Sequence, residues 1–165
     1  MEINVTKRGF LTSAGGAIAA LVLGACSKKS AAAPAEKFEV TKSPAEWRKI
    51  LSPAQYNVLR EESTERPRSS PLNNEKRRGT YACAGCQLPV YSSQTKFESG
   101  TGWPSFTVPI KSAVRTKPDP GLFGTRTEVH CRRCGGHLGH VFDDGPPPTG
   151  QRWCMNGIAM KFIPA

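Results

Sequence analysis

The stretch "CRRCGGHLGHVF", residues 131–142, joins two cysteines that are two residues apart to two histidines that follow them directly. A second cysteine pair of the same spacing stands in "CAGC", residues 83–86. Each pair sets two sulfurs in one turn, and two such turns supply the four thiolates that zinc prefers in structural sites. The sequence therefore predicts one structural zinc ion that ties distant strands together. Its four ligands would be Cys83, Cys86, Cys131 and Cys134.

Two other arrangements of these cysteines remain open. Exported proteins often oxidise their thiols, so each pair could instead be a redox pair or half of a disulfide. A site with three cysteines and one histidine, His130 or His137, is also possible, although four thiolates make it unnecessary.

The N-terminus has the pattern of an export signal. Lys7 and Arg8 precede an apolar run of small residues that ends at Cys26, which is typical of a secretory signal and too short for a membrane-spanning helix of about 20 residues. "LGAC" resembles a bacterial lipobox, in which the cysteine is lipidated and begins the mature chain. We expect a lipoprotein-type signal at 1–25, a flexible tether at 26–37 and one domain at 38–165, lipid-anchored in the cell envelope. The alternative is a cleaved signal with Cys26 incidental.

The charge balance is strongly basic, with a formal net charge of +10. Such a balance can indicate nucleic acid or an anionic membrane surface as a partner. Here the charges are spread along the chain, and an exported protein rarely meets nucleic acid. We therefore expect a basic solvated surface on a monomer, with no nucleic-acid partner and membrane contact through the lipid anchor only.

Two short helices should open the domain, at 43–51 and 52–63. Each begins with Ser-Pro and carries Glu or Gln three residues after the serine, which is the signature of a capping box. Apolar spacing gives each helix one buried face. The residues expected on these faces are Trp47, Ile50, Leu51, Tyr56 and Leu59.

After Pro67 short β-like runs alternate with Gly/Pro turns. In the last run, 152–163, the apolar residues change from odd-numbered to even-numbered positions after Asn156. We attribute this change to a bulge at Gly157. The prediction is an α+β domain, mostly β, in which antiparallel sheets carry the short N-terminal helices.

Cys154 stands apart from the other cysteines. In an extended strand it shares one face with Arg152 and Asn156. A nearby cation favours the thiolate and lowers the cysteine pKa, and a carboxamide can donate a hydrogen bond to a polar substrate atom. The alternative is a buried and inert cysteine.

Two further stretches supply candidate site residues. His137 and His140 have an odd spacing that puts them on opposite faces of a flat strand, so both reach one site only if Gly139 bends the chain. A histidine pair of this kind is a candidate acid/base group. Trp103 precedes Pro104, which restricts it to extended conformations and suits it to form a pocket wall.

Taken together, "YACAGC", "SGTGWPSF" and "CRRCGGHLGHVFDDGPPPTGQRWCMNG" resemble the methionine-R-sulfoxide reductases, the B-type enzymes. The resemblance runs from about Trp47 through Phe162. It implies a tent-like pair of antiparallel sheets tied by zinc, and reduction of the R epimer of methionine sulfoxide, free or in oxidised proteins.

The resemblance also implies roles for single residues. Cys154 matches the nucleophile, whose thiolate attacks the sulfoxide sulfur and becomes a sulfenic acid. The histidines match the groups that bind and protonate the sulfoxide oxygen, so that it can leave as water. The supporting positions are Asn156 for orienting that oxygen, Arg152 for favouring the thiolate, Trp103 for holding the substrate methyl group, and Phe142 for bordering the same pocket.

The chain departs from the family pattern where many relatives read "SGCGWPSF". Thr101 stands in place of the recycling cysteine, so we expect an external thiol, such as a thioredoxin-like protein, to reduce Cys154. Milder departures are Gly157 in place of a common serine and Trp153 in place of a common tyrosine.

Two hypotheses without catalysis compete with the hypothesis that this protein is an enzyme. One is a zinc-knuckle binding module whose basic surface holds an anionic partner and whose Cys154 is structural. The other is a disulfide-stapled structural lipoprotein, which predicts neither zinc nor a free thiol. A binding module has no need of Trp103, His137, His140 or Asn156.

Overall fold

The computed structural model describes residues 36–121 and 124–165. The predicted export signal at 1–25, the lipid-anchor residue Cys26 and all but the last two residues of the tether at 26–37 lie outside the described residues. Within the part that is described, no helix has the length and hydrophobicity needed to cross a membrane.

Both predicted N-terminal helices are present, as α1 (Pro44–Ile50) and α2 (Pro53–Glu61). Each is held by the predicted capping box, formed by Ser43 with Glu46 and by Ser52 with Gln55. These contacts satisfy N–H groups that the first turn of a helix leaves without a partner.

One prediction for these helices is wrong, because Ile50 is 54% exposed. The helix α1 ends at Ile50, and Leu51 is extended as its C-cap. Leu51 therefore no longer lies on the same helical face as Ile50 and turns inward, where it is buried with Trp47.

The strands form two antiparallel sheets, so the predicted class, α+β and mostly β, is confirmed. The first sheet has the order β2-β1-β9 and the second the order β3-β4-β8-β7-β6-β5. The strands are β1 (Gly79–Cys83), β2 (Pro89–Ser92), β3 (Lys96–Phe97), β4 (Ser105–Phe106), β5 (Val114–Gly121), β6 (Gly124–Cys131), β7 (His137–Phe142), β8 (Arg152–Met155) and β9 (Met160–Pro164).

Aromatic side chains from both sheets form the centre of the core. Phe106 of β4 stacks on Tyr91 of β2 with ring centroids 4.3 Å apart, and meets Tyr81 of β1 edge-on at 5.0 Å. All three side chains are fully buried. Each buried side chain of this size stabilises the fold by about 1.5–3 kcal/mol, so this cluster holds the two sheets against each other.

The run 152–163 is not one bulged strand, as the sequence suggested, but two strands in different sheets. A 3₁₀ turn, Gly157–Ala159, separates β8 from β9. At this turn a Cβ atom on Gly157 would collide with the side chain of Ser70. The apolar parity changes here because the chain leaves one sheet for the other, and Gly157 permits the close approach that this turn requires.

Candidate active site

Cys154 lies on β8 in the middle of the six-stranded sheet. It is paired with Ser105 of β4 on one side and with His140 of β7 on the other. Its side chain is half-buried and borders a small cleft of about 130 Å³. The cleft is lined by Thr64, Trp103, Arg126, Gly139, His140, Phe142, Cys154, Met155 and Asn156. Five of the predicted site residues therefore share one cavity.

Hydroxyl groups lie around the thiol of Cys154. Thr101 Oγ1 lies 3.9 Å from Cys154 Sγ. Ser99 Oγ is 2.9 Å from Thr101 Oγ1 and 2.8 Å from Ser105 Oγ, and Ser105 donates to the carbonyl of Trp103 at 3.2 Å. This network fixes Thr101 beside the thiol of Cys154, and the Thr101 hydroxyl can donate a hydrogen bond to that sulfur.

The surroundings of Cys154 shift the pKa of its thiol in opposite directions. Burial raises the pKa of Cys154 above its ordinary value, although the Arg152 charge and hydrogen bonds from Thr101 and Ser105 work in the other direction. Arg152 thus acts in the predicted direction but does not outweigh burial. Burial therefore favours the neutral thiol over the thiolate.

Arg152 is fixed by two neighbours. Its Nε and Nη2 atoms donate to the two carboxylate oxygens of Asp144, each at 2.9 Å, and its guanidinium lies 4.4 Å from the ring centroid of Phe142. The Asp144 hydrogen bonds raise the pKa of Arg152. Asp144 thereby holds a permanent cation next to Cys154 and keeps Phe142 against the cleft.

The two histidines do lie on one side of β7, as the sequence required of a shared site. The β6–β7 register shifts so that His130 pairs with His137 while Val129 pairs with Gly139. One extra residue on β7 brings the rings of His137 and His140 to 5.4 Å between centroids. A Cβ atom on Gly139 would collide with the carbonyl oxygen of Cys154, so the glycine is needed where these strands approach.

His137 is held by a buried carboxylate. Its Nδ1 lies 3.0 Å from Glu128 Oε1. The other carboxylate oxygen of Glu128, Oε2, lies 2.9 Å from Lys117 Nζ, which also contacts Glu62 Oε1 at 2.7 Å. Burial favours the neutral acid, but the bonds to His137 and Lys117 outweigh it and keep the pKa of Glu128 low. The Nε2 atom of His137 is buried and has no hydrogen-bond partner among residues 36–121 and 124–165, which leaves it available to an added oxygen atom.

His140 is held in a parallel way by a more exposed group. Its Nε2 lies 2.7 Å from Asp119 Oδ2, which also accepts from Arg126 at 2.6 Å. Burial lowers the pKa of His140 and outweighs the Asp119 hydrogen bond. His140 lines the cleft, whereas His137 lies outside the set of lining residues.

Glu65 braces the opposite wall of the cleft. Its carbonyl accepts from Trp103 Nε1 at 3.1 Å, and its N–H donates to Asn156 Oδ1 at 2.9 Å. Its carboxylate accepts from the N–H groups of Gly157 at 2.6 Å and Ile158 at 2.9 Å, while burial raises its pKa. Trp103 and the β8–β9 turn are therefore positioned by one residue.

Asn156, expected to orient the sulfoxide oxygen, is engaged by the backbone at both ends of its amide. Besides accepting from Glu65, it donates from Nδ2 to the carbonyl of Leu138 at 3.2 Å. It lines the cleft and at the same time connects the Glu65 segment to β7.

Sequence reasoning missed the acidic residues that hold the site. These residues are Glu65, Asp119, Glu128 and Asp144. Glu128 carried a usable signal, because "TEVHC" reads as a strand in which a carboxylate directly precedes the apolar Val129. Glu65 and Asp144 stand in loops and Asp119 on an exposed hairpin strand, where a charged residue is ordinary, so only the fold identifies their partners.

The four paired cysteines form one cluster, with all sulfur atoms within 4.8 Å of one another. The closest pairs cross between the two motifs, Cys86 with Cys131 at 3.4 Å and Cys83 with Cys134 at 3.7 Å. A tetrahedral zinc ion with Zn–S bonds of about 2.3 Å separates its sulfurs by about 3.8 Å, and a disulfide needs about 2.05 Å. The donors therefore fit a metal ion.

The cluster joins the two sheets, as the sequence predicted. Cys83 ends β1 of the three-stranded sheet and Cys131 ends β6 of the six-stranded sheet. Neither His130 nor His137 belongs to the candidate metal-binding group among the described residues, so the four-cysteine set is the one that the fold assembles.

Comparisons with known proteins agree on one family. Residues 51–164 match the model described as the SelR domain. A protein of Methanosarcina barkeri is 56% identical over 124 residues, covering 74% of this chain and 87% of that protein. Similar relatives occur in Agrobacterium fabrum, at 51% identity with 76% and 94% covered, and in Leptospira interrogans, at 49% with 76% and 96% covered. All three are named peptide methionine sulfoxide reductase MsrB.

Proposed function

This chain belongs to the MsrB family of peptide methionine sulfoxide reductases, and we propose that it reduces the R epimer through a sulfenic acid on Cys154 that an external thiol removes. The family membership makes it an oxidoreductase acting on methionine sulfoxide. The observation that carries the finer proposal is one cleft that unites the thiol of Cys154 with Trp103 and His140.

The first step is attack of the Cys154 thiolate on the sulfoxide sulfur. Attack forms a bond between the Cys154 sulfur and the substrate sulfur, and two protons let the sulfoxide oxygen leave as water. A water molecule then attacks the Cys154 sulfur, breaks the bond between the two sulfurs and gives up a proton, which releases methionine and leaves a sulfenic acid on Cys154. Sulfur of the substrate is reduced and sulfur of Cys154 is oxidised by the same two electrons. Arg152 favours the thiolate form that this step uses, and Thr101 can donate a hydrogen bond to it.

The histidines supply a proton. His137 is held through Nδ1 by Glu128, so its Nε2, which has no hydrogen-bond partner among the described residues, is the ring atom that can meet the sulfoxide oxygen. His140 lines the cleft and lies next to the His137 ring, 5.4 Å away between centroids, with its orientation fixed by Asp119. Glu128 and Asp119 act as positioning residues, because each holds a ring in one tautomer and orientation.

Two fixed walls support selection of a single epimer. The indole of Trp103 is anchored by the Glu65 carbonyl at 3.1 Å, and the histidine pair is set by the β7 bulge. A sulfoxide sulfur bears a methyl group, an oxygen and the rest of the side chain. Only one epimer puts its methyl group on Trp103 and its oxygen at the histidines while its sulfur faces Cys154.

An external thiol then regenerates the enzyme. A first thiol displaces the sulfenic hydroxyl as water and forms a mixed disulfide with Cys154, and a second thiol releases Cys154 as it forms its own disulfide. Support comes from Thr101 at 3.9 Å from Cys154, where a recycling cysteine would stand, and from the other described cysteines, which form the four-sulfur cluster. A thioredoxin-like protein supplies suitable dithiol chemistry.

The four-cysteine cluster is suited to bind one structural zinc ion. Zinc bound there would hold the ends of β1 and β6 together and stabilise the fold. The cluster residues are absent from the lining of the catalytic cleft, so the ion would act on stability and leave the chemistry to Cys154.

Export and lipid anchoring rest on the sequence motifs alone. Residues 1–25 would direct export, and Cys26 would carry the lipid that holds the domain at the envelope membrane. Replacing Cys26 with serine should release the protein from the membrane fraction, and persistence there would contradict lipidation.

The test of the activity uses separate R and S epimers of an N-acetylated methionine sulfoxide with dithiothreitol as reductant. We expect methionine to form from the R epimer alone. Equal turnover of both epimers would contradict the stereochemical part of the proposal. Absence of turnover in folded, metal-loaded protein would favour a zinc-bearing binding module.

A further inference from the structure

A groove larger than the catalytic cleft lies between α2 and β9. Its volume is about 780 Å³, against about 130 Å³ for the cleft. We refer to it as the α2 groove. The apolar side chains that line it are Ala54, Val58, Pro71, Leu72, Ile158, Met160 and Phe162. None of them takes part in the chemistry proposed above, and a hollow of this size with apolar lining is typical of a binding site.

The α2 groove is continuous with the cleft, because Thr64 lines both. The next residue, Glu65, has one side on each cavity. Its carbonyl accepts from Trp103 of the cleft, and its carboxylate accepts from Gly157 and Ile158 of the groove. A polypeptide whose methionine sulfoxide occupies the cleft therefore has neighbouring residues within reach of the groove, since an extended chain advances about 3.3 Å per residue.

The charges along the groove favour an acidic ligand. Arg66 and Lys161 line it and are both exposed. The carboxylate in the lining is that of Glu65, which already accepts two backbone hydrogen bonds. Within the described part of the chain, the groove therefore presents two cations without an acidic partner above an apolar floor.

One wall of the groove is the edge of a sheet. In the described chain β9 pairs with β1 alone, and its residues Met160, Lys161 and Phe162 line the groove. The outer backbone groups of an edge strand can hydrogen-bond to an added extended segment.

We infer that the α2 groove binds the residues flanking the methionine sulfoxide of an oxidised polypeptide, in extended form. An apolar side chain would lie on the floor, and an acidic side chain would lie near Arg66 and Lys161. The inference rests on the proposed function, because the sulfoxide in the cleft anchors the flanking chain. It deepens that function by naming the sequence context that the enzyme prefers.

The twin helices offer a matched pair of variants for the test. Ala54, the second residue of α2, is exposed and lines the groove, while Ala45, the second residue of α1, is equally exposed and does not. Ala54→Trp should fill the groove, and Ala45→Trp adds the same side chain outside it. Thermal melting of both variants checks that each remains folded.

The substrates are N-acetyl-methionine-R-sulfoxide and two short peptides with one R sulfoxide each, flanked by Leu and Asp in one and by Ser and Lys in the other. Wild-type protein should prefer the Leu/Asp peptide by about tenfold in kcat/KM, the effect of burying one apolar side chain. Ala54→Trp should abolish the preference by raising KM for that peptide, while turnover of the N-acetyl substrate is retained. Ala45→Trp should behave as wild type.

The charge contribution is tested by Arg66→Glu combined with Lys161→Glu, which should shift the preference toward lysine-flanked peptide. Equal kcat/KM for both peptides in wild type, or the same values in Ala54→Trp and Ala45→Trp, would overturn the inference. Failure of the proposed function is distinguished by the N-acetyl substrate, which the wild type would then not reduce. In that case calorimetric titration with the Leu/Asp peptide tests whether the α2 groove binds a peptide. No binding, or binding unaffected by Ala54→Trp, would overturn the inference.

Discussion

The molecule holds cysteines in two opposite settings. Four lie together at the junction of the sheets, where sulfur meets sulfur at 3.4 and 3.7 Å. The fifth described cysteine, Cys154, meets hydroxyl groups, an arginine and a cleft. The neighbours suit the same side chain to metal binding in one place and, as proposed above, to nucleophilic attack in the other, since a thiolate shared by a metal ion is no longer a free nucleophile.

The largest effect should come from removing the single cysteine. Cys154→Ser should abolish reduction of methionine sulfoxide, because serine cannot be oxidised by the substrate, while the metal content stays unchanged. Turnover measured beside metal analysis gives both quantities. Residual activity above about one thousandth of wild type would show that another thiol can attack and would remove the contrast between the two settings.

A smaller loss of activity should follow from Glu128→Gln. The glutamine keeps the shape but loses the charge that holds His137, so we expect kcat/KM to fall about 10- to 100-fold, a part of what general acid catalysis provides. The fall should lie in kcat rather than KM, and the pH profile should change with it. Glu62→Gln is the matched control, because Glu62 touches the outer side of Lys117 at 2.7 Å and should leave kcat near wild type. Equal losses in both variants would contradict a positioning role for Glu128.

In the four-cysteine cluster, Cys131→Ser should reduce the stability of the fold rather than the enzymatic activity. Losing one of four sulfur ligands should release the metal and cost about 3 kcal/mol or more, which lowers the melting temperature by about 10 °C. Calorimetry with metal analysis measures both changes. Turnover at low temperature should persist, and a full metal equivalent in the variant would contradict the four-cysteine site.

The pH dependence of Cys154 alkylation tests how burial and Arg152 set the pKa of this thiol. Burial raises the pKa of Cys154 and Arg152 lowers it, so the rate with iodoacetamide should rise with pH and level off above the range of an ordinary thiol. Arg152→Ala removes the lowering influence and should move the midpoint further up. Arg126→Ala, which removes the arginine that lines the cleft, should leave that midpoint unchanged. A downward shift in Arg152→Ala would contradict the assigned role.

The mildest change gives Cys154 a sulfur neighbour like those of the cluster. Thr101→Cys places a second thiol where Oγ1 now lies 3.9 Å from Cys154 Sγ. We expect the first turnover to proceed nearly unchanged and then to end in an intramolecular disulfide, observable by peptide mapping of the oxidised protein. Wild-type protein should show no such disulfide. Its absence from the variant would place the two positions too far apart for direct recycling.

The contrast also separates what the sequence could predict from what it could not. The cysteine spacing, the capping boxes at Ser43 and Ser52 and the bend at Gly139 are local patterns with local physical causes, and all are present in the structure. The bulge expected at Gly157 became a turn between sheets, because parity alone does not reveal that a chain changes sheets.

Long-range partners were beyond the sequence. Glu128 reaches His137 only through the shifted β6–β7 register, and Glu65 meets Trp103 and Asn156 across 38 and 91 positions of chain. Such pairings depend on strand register and sheet order, which no local pattern specifies. The candidate residues that the cleft brings together were therefore recognisable from the sequence, whereas most of the residues that hold them were not.

The most direct test of the account is a single turnover of metal-loaded protein with one equivalent of R sulfoxide and no reductant, in the presence of a sulfenic-acid trap such as dimedone. The account predicts one methionine released per chain and one trapped adduct, located on Cys154 by peptide mapping, with the four cluster cysteines unmodified. An adduct on any cluster cysteine, or a disulfide between Cys154 and one of them, would contradict the separation of the two settings.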